Sequence, residues 1–237
     1  NVLQYTLPTP YDLSGAYFLT LYDIPTLGGV TVSSPSALTF SNDGTKMHIL
    51  DQNIDRIYQF TLSIPYLVSS ASYDDVFITV TTAESIPWAM TFNNDGTKMY
   101  VAGTGNDSVA EYTLTTAFDI STASYDDVRF STGANVRGVT FNNDGTVMYI
   151  SHSSDNIRVY NLSIPYSVNT ATFVSAITLP NPPGASYLNV IFNNDGTKMY
   201  ALGTTDSIYQ FTIGEFISPT GEYHPAVTNL GGQINTE

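Results

Sequence analysis

The stretch Phe92-NNDGTKMYVA, residues 92–102, recurs as Phe40-SNDGTKMHIL, Phe141-NNDGTVMYIS and Phe192-NNDGTKMYAL. The phenylalanines stand at 40, 92, 141 and 192, so the intervals are 52, 49 and 51 residues. A period near 50 is too even for chance and too long for a leucine-rich or ankyrin solenoid. Within each copy, Asn-Asp-Gly supplies the positive backbone angles of a tight hairpin at little steric cost. A strand ends at the Phe and a second follows the Gly.

Working outward, each unit parses into four short strands. The first is Ala37-LTF, Ala89-MTF, Gly138-VTF or Asn189-VIF, and the second is Lys46-MHIL, Lys98-MYVA, Val147-MYIS or Lys198-MYAL. A polar turn leads to the third strand: Arg56-IYQFTL, Val109-AEYTL, Ile157-RVYNL or Ile208-YQFTI. Period-two alternation there puts Tyr58, Phe60 and Leu62 on one face and Gln59 and Thr61 on the other. A longer connection of the type Ser63-IPYLVSSASYDD precedes the fourth strand, Val76-FITVTT, Val128-RFS or Ala176-ITL. No stretch sustains helical periodicity. Repeated four-stranded antiparallel units of this length are the blades of a β-propeller, so the fold class is all-β.

The phrase NNDGTKMY, followed by a polar turn and a third strand, resembles the YVTN-type repeats of bacterial surface propellers. The resemblance covers four units and implies the fold and an extracellular or cell-surface setting; it implies no activity. The units are longer than a YVTN repeat, chiefly through the SIPY…SASYDD connection.

Three units are complete, at 36–87, 88–136 and 137–186. Residues 187–213 supply strands one to three, residues 1–35 supply a third and a fourth, and residues 214–237 match no repeat and read as an irregular tail. Four blades follow if the last blade is shared between the chain ends, taking its fourth strand from Ala16–Ile24; five follow if both partial units count. A shared blade needs one third strand, yet two are present, Val2–Leu7 and Ile208–Ile213. A surplus apolar strand invites edge pairing. It caps its own ring, adds to a neighbouring molecule, or marks a piece of a longer propeller. Pairing with a neighbour is head-to-tail and runs on into filaments unless the rotation closes. It assigns an assembly strand of Val2, Leu3, Tyr5 and Leu7, with a receiving edge at Tyr209, Phe211 and Ile213.

Composition fits. The 237 residues include 17 Tyr and 12 Phe but only 7 Lys and Arg, the usage of a β-rich chain. A net charge of −14 argues against nucleic acid and anionic membrane surfaces. The absence of Cys excludes disulfides and thiolate metal sites. No apolar run is long enough to span a bilayer, so no membrane insertion is expected. The chain has no signal peptide and no initiator Met, as expected of a processed or truncated product.

Little points to chemistry. His48 occupies the slot of Tyr100, Tyr149 and Tyr200, and neither His152 nor His224 has zinc spacing around it. Asp43, Asp95, Asp144 and Asp195 belong to hairpin turns on separate blades. The pairs Asp74-Asp75 and Asp126-Asp127 end long connections, where two carboxylates alone are a weak Ca²⁺ signal. The first strands open on Ser36, Trp88, Arg137 and Tyr187, which offer no Glu/Asn/Asp set of the lactonase kind. Catalytic residues, metals and cofactors are therefore not expected, and the chain reads as non-enzymatic. Trp88, Arg137 and Tyr187 form a candidate ligand mouth for carbohydrate or peptide, or else pack between blades. Asn106 and Asn161 fit the N-glycosylation acceptor pattern. The leading expectation is a self-associating structural subunit of an extracellular fibre or appendage, with copies of itself as partners. The alternative is a monomeric glycan- or host-binding module of an adhesin or phage tail.

Overall fold

A computed structural model describes residues 2–23, 30–133, 135–153, 156–179, 187–203, 207–217 and 223–235, with only the backbone described for 156, 178, 187, 214–217 and 223–235. It opens with a two-stranded sheet, β1 (Val2–Thr6) and β2 (Tyr17–Tyr22). Four antiparallel four-stranded sheets follow as the blades of a propeller. Blade one is β3 (Pro35–Phe40), β4 (Lys46–Asp51), β5 (Arg56–Leu62) and β6 (Ala71–Thr79). Blade two is β7 (Pro87–Phe92), β8 (Lys98–Gly103), β9 (Ser108–Leu114) and β10 (Ala123–Ser131). Blade three is β11 (Val136–Phe141), β12 (Val147–His152), β13 (Asn156–Leu162) and β14 (Ala171–Thr178). Blade four is β15 (Tyr187–Phe192), β16 (Lys198–Gly203), β17 (Ser207–Ile217) and β18 (Tyr223–Asn235).

The Asn-Asp-Gly phrase closes the first hairpin of every blade. In blade one Asp43 Oδ1 accepts from the Thr45 N–H at 3.0 Å and from its hydroxyl at 2.8 Å, while Gly44 turns the chain at φ +70°. The Ser41 hydroxyl, which donates to the same oxygen at 2.6 Å, and then these two bonds hold the Asp43 carboxyl down at about 2. The long connection then tucks an aromatic ring against the glycine. Tyr66 lies 2.3 Å from where a Cβ on Gly44 would be, and Phe118 and Tyr166 cover Gly96 and Gly145 in the same way. Each ring is anchored by its own N–H, which donates at 2.9 Å to the carbonyl of the glycine it covers. A 3-10 turn follows, Val68–Ser70, Ile120–Thr122 or Val168–Thr170, and buries its first residue.

The core lies between blades. Leu50 and Ile57 of blade one pack on Met90, Met99 and Val101 of blade two. Ala89 and Tyr100 of blade two pack on Val139, Met148 and Ile150 of blade three, and Tyr149 and Val159 of blade three on Val190, Met199 and Phe211 of blade four. Each such buried side chain contributes roughly 1.5–3 kcal/mol relative to exposure.

Three expectations are corrected. The last blade is not shared between the chain ends: β18 pairs along β17 from Ser207↔Asn235 to Ile217↔Tyr223, while β2 pairs with β1. Within the segment expected as an irregular tail, residues 214–217 and 223–235 are strand, because β17 leaves an edge whose backbone groups need partners and the following chain supplies them; 218–222 and 236–237 lie outside the described residues. Pro225, which argued against a strand, sits in the outermost strand, where a missing N–H is tolerated. Finally, Asp74-Asp75 and Asp126-Asp127 do not end loops. They form β-bulges inside β6 and β10, with Asp75 at φ 60° and Asp127 at φ 58°.

Candidate assembly site at the open side of the ring

One hydrogen bond recurs from unit to unit and fixes the place of the N-terminal sheet. Gln59 of β5 accepts from the Ile120 N–H of the next blade's 3-10 turn at 3.0 Å. Glu111 of β9 does the same for Val168 at 3.1 Å. Gln210 of β17 accepts from Leu13 at 2.9 Å, in the turn Leu13–Gly15 between β1 and β2, and Gln4 of β1 accepts from Val68 of blade one at 3.0 Å. The N-terminal sheet thus stands in ring order between blade four and blade one, as the outer half of a fifth blade. A second recurring bond agrees. Tyr100 donates to the Tyr166 carbonyl at 2.5 Å, His48 to that of Phe118 at 2.9 Å and Tyr200 to that of Tyr11 at 2.6 Å. Burial at this contact pushes the Tyr200 hydroxyl up to about 12.

The inner half of that position is unfilled among the described residues. Strands β5, β9, β13 and β17 are each paired on both edges, whereas β1 pairs with β2 alone. One residue of each flanking wall is uncovered. Leu38 of β3 is 38% exposed, while its equivalents Met90, Val139 and Val190 are 4, 2 and 1% exposed. On the opposite wall Leu202 of β16 is 41% exposed, while its equivalents Leu50 and Ala102 are fully buried. The hairpin turns are joined by an asparagine ladder, with the side-chain amide of Asn42 on the Asn94 carbonyl, Asn94 on Asn143 and Asn143 on Asn194. The ladder stops at Asn194 on one side of the opening and starts from Asn42 on the other.

The residues expected to form an assembly strand lie on and just past β1, whose second edge is unpaired among the described residues. Leu3 is exposed; Val2 packs on the blade-one core, and Tyr5 meets Phe18 edge-on at 5.9 Å. Leu7 is half-buried just past the strand. Tyr17, Phe18, Leu19 and Leu21 of β2 are all exposed. The expected receiving edge is corrected: Tyr209 and Phe211 are buried, and with Ile213 they lie on β17, whose two edges are taken by β16 and β18.

The other candidates are placed as follows. Arg137 lies 3.9 Å over the Trp88 ring across blades two and three, and the indole N–H donates to Thr104 at 3.2 Å. One face and the polar edge of the indole are therefore used within the protein. The Tyr187 side chain falls outside the described residues; its backbone pairs with Gly203. Asn106 sits in the β8–β9 turn with its amide on the Ala83 carbonyl at 3.0 Å, and Asn161 lies exposed within β13. The carboxylate of Glu84, which sequence reading passed over, is buried and accepts from the N–H groups of Gly105 at 2.7 Å and Asn106 at 3.0 Å. It braces the same turn, and burial pushes its carboxyl up. No group of three or more His, Cys, Asp or Glu able to hold a metal occurs among the described residues. Among the described residues no helix is long and apolar enough to cross a membrane.

No family model matches the chain, and no curated protein matches it. Solved structures do. A protein of Bacteroides uniformis named a "putative 6-phosphogluconolactonase" superposes with a TM-score of 0.54 at 13% identity, over 94% of this chain and 60% of its own. A functionally unknown protein of Desulfotomaculum acetoxidans gives 0.49 at 12% identity, over 83% of this chain and 70% of its own. The chain therefore spans about three fifths of the first neighbour's length. The expectation of a non-enzymatic chain is corrected by that neighbour, because a molecule of the same fold carries an enzyme's name. The missing Glu/Asn/Asp set at the ring mouth does not exclude activity. At this identity the likeness establishes the fold and assigns no reaction.

Proposed function

We propose that this chain is a structural propeller that works by assembly, associating with copies of itself through the open side of its ring in an extracellular fibre or surface appendage. The observation that supports this reading is the unpaired edge of β1. An edge strand offering free N–H and C=O groups beside exposed Leu3, Leu38 and Leu202 recruits further strands. The extracellular setting rests on the repeat's resemblance to bacterial surface propellers. Sedimentation velocity over a concentration series tests the association. The unmodified chain is expected to form concentration-dependent oligomers, and Leu3→Lys, which places a charge beside that edge, to shift them towards monomer. A monomer at every concentration refutes the proposal.

A further inference from the structure

The open side has a shape and a chemistry, and both are those of the repeat itself. The inference rests on the reading that this side is the association surface, and it names what the surface takes. We infer that the fifth position receives a β-hairpin carrying one further copy of the repeat's first and second strands, joined by an Asn-Asp-Gly turn.

Four independent features point to that occupant. The first is strand count: β1 and β2 hold the places of a third and a fourth strand, so the two vacant places are a first and a second. The second is the pair of walls. In blade two the hairpin β7–β8 turns Ala89, Tyr100 and Ala102 towards Val139, Met148 and Ile150 of the next blade. It turns Met90, Met99 and Val101 back towards Leu50 and Ile57 of the previous one. The open position presents one residue of each wall, Leu38 on blade one and Leu202 beside half-buried Ile208 on blade four, while the other blade-one counterparts, Met47 and Ile49, are already buried against Phe60 and Val32.

The third is the asparagine ladder, whose two ends face the opening. One more Asn-Asp-Gly turn would accept from the Asn194 amide and donate to the Asn42 carbonyl, continuing a chain of bonds already made three times. The fourth is the edge of β1 itself. Second and third strands pair antiparallel in every blade, as in Lys98↔Thr113 to Gly103↔Ser108. A lone strand would satisfy this edge but leave Leu38 uncovered, because Leu38 lies on an inner strand and its equivalents pack against a neighbouring inner hairpin. A second copy of this chain supplies such a hairpin only by releasing one of its own four, each of which belongs to a four-stranded blade.

The test places residues 87–107 directly ahead of Asn1, which reproduces the register in which Asp107 precedes Ser108. Hydrogen exchange at Val2–Thr6 is the readout, with sedimentation velocity run beside it. The fused hairpin is expected to slow exchange of the β1 amides by on the order of 100-fold or more. The same fusion carrying Met99→Asp in the added copy is expected to leave them fast. If the folded fusion exchanges β1 amides as fast as the unmodified chain, the inference is overturned, whatever the unmodified chain does in the centrifuge. If β1 is protected while the unmodified chain stays monomeric, the inference stands and the self-association reading falls. Should the fusion not fold, a separate peptide of residues 87–103, added at roughly millimolar concentration to the unmodified chain, gives the same readout. Unchanged β1 exchange then overturns the inference equally.

Discussion

His48 gives the propeller an acid-sensitive joint that its sister blades lack, and His48→Tyr should remove it. The ring is fully buried, donates from Nε2 to the Phe118 carbonyl of blade two, and leaves Nδ1 with no hydrogen-bond partner. Protonation would put a charge on that nitrogen in a fully buried setting, 4.9 Å from the Phe92 ring, where Gln59 and Asp74 offset only part of the cost. Burial is the main cause holding the imidazole down at about 4, against 6.5 for an ordinary one. A folded value below the unfolded one means stability that is fully present above pH 6.5 and is lost as pH falls towards 4. The full loss corresponds to about 3 kcal/mol, and at pH 5 about 2 kcal/mol of it has gone. For a chain of this size that is a fall in Tm of about 4–8 °C. The equivalent slots hold Tyr100 and Tyr200, whose hydroxyls make the same bond to the next unit without titrating in this range. His48→Tyr should therefore match the parent at pH 7 to within about 1–2 kcal/mol and have a flatter Tm profile between pH 7 and 5. His152, also held down at about 4 by burial, and Glu84, pushed up by burial, are present in both proteins and cancel in the difference. Asp43, held down at about 2, loses its contribution only below its ordinary value of 3.8, outside the window. Parallel Tm profiles for the two proteins would show that His48 is not the acid-sensitive group and refute the reasoning.

Equivalent positions in different blades supply further tests. Gly96 and Gly196 share φ +73°, but a Cβ on Gly96 would lie 2.3 Å from the Phe118 ring, whereas Gly196 has no described atom within 4 Å. Gly196→Ala should cost the left-handed penalty of about 1–2 kcal/mol, and Gly96→Ala roughly 1–3 kcal/mol more; equal losses in urea unfolding would contradict the ring placement. Met90→Ala should cost about 2–5 kcal/mol and Leu38→Ala about 1 or less, since only the first is covered by a neighbouring blade. Comparable losses would mean that the open side is covered in solution. Glu111→Ala should cost about 1–3 kcal/mol by leaving the Val168 N–H without its acceptor and Lys98 with Asp126 as its one remaining carboxylate partner. Val159→Gln, at the equivalent site of blade three, should bring no gain, because no 3-10 turn follows among the described residues of blade four. A stabilising Val159→Gln in the same denaturation assay would oppose that view.

What the chain's text determined by itself is local and periodic. Asn-Asp-Gly fixes a turn because only certain residues accept its backbone angles, and alternating apolar positions fix strands because one face must be buried. Repetition at about 50 residues then implies blades, since a single unit cannot cover its own two faces. The YVTN-like phrase added no more than an expectation of the same fold and of an extracellular setting. Even the slot shared by His48 with Tyr100 and Tyr200 was legible from spacing.

Only the tertiary structure decided which strand closes which blade. Val2–Leu7 and Ile208–Ile213 are near-copies, and their alternation is satisfied by any edge of the right polarity, so their text could not choose partners. The choice came from long-range contacts: Gln4 on Val68, Gln210 on Leu13, and β18 along β17. Gln59 and Glu111 looked like outward polar residues of a strand, and became the links between blades only when the next unit's turn came within reach. The tail was misjudged for the same reason. Its prolines and glycines describe a poor strand in isolation, and the requirement to satisfy β17's edge outweighed them. Leu38 and Leu202 stand at positions whose equivalents Met90 and Leu50 are buried, yet burial there depends on a neighbour supplied by the ring, which local sequence does not encode.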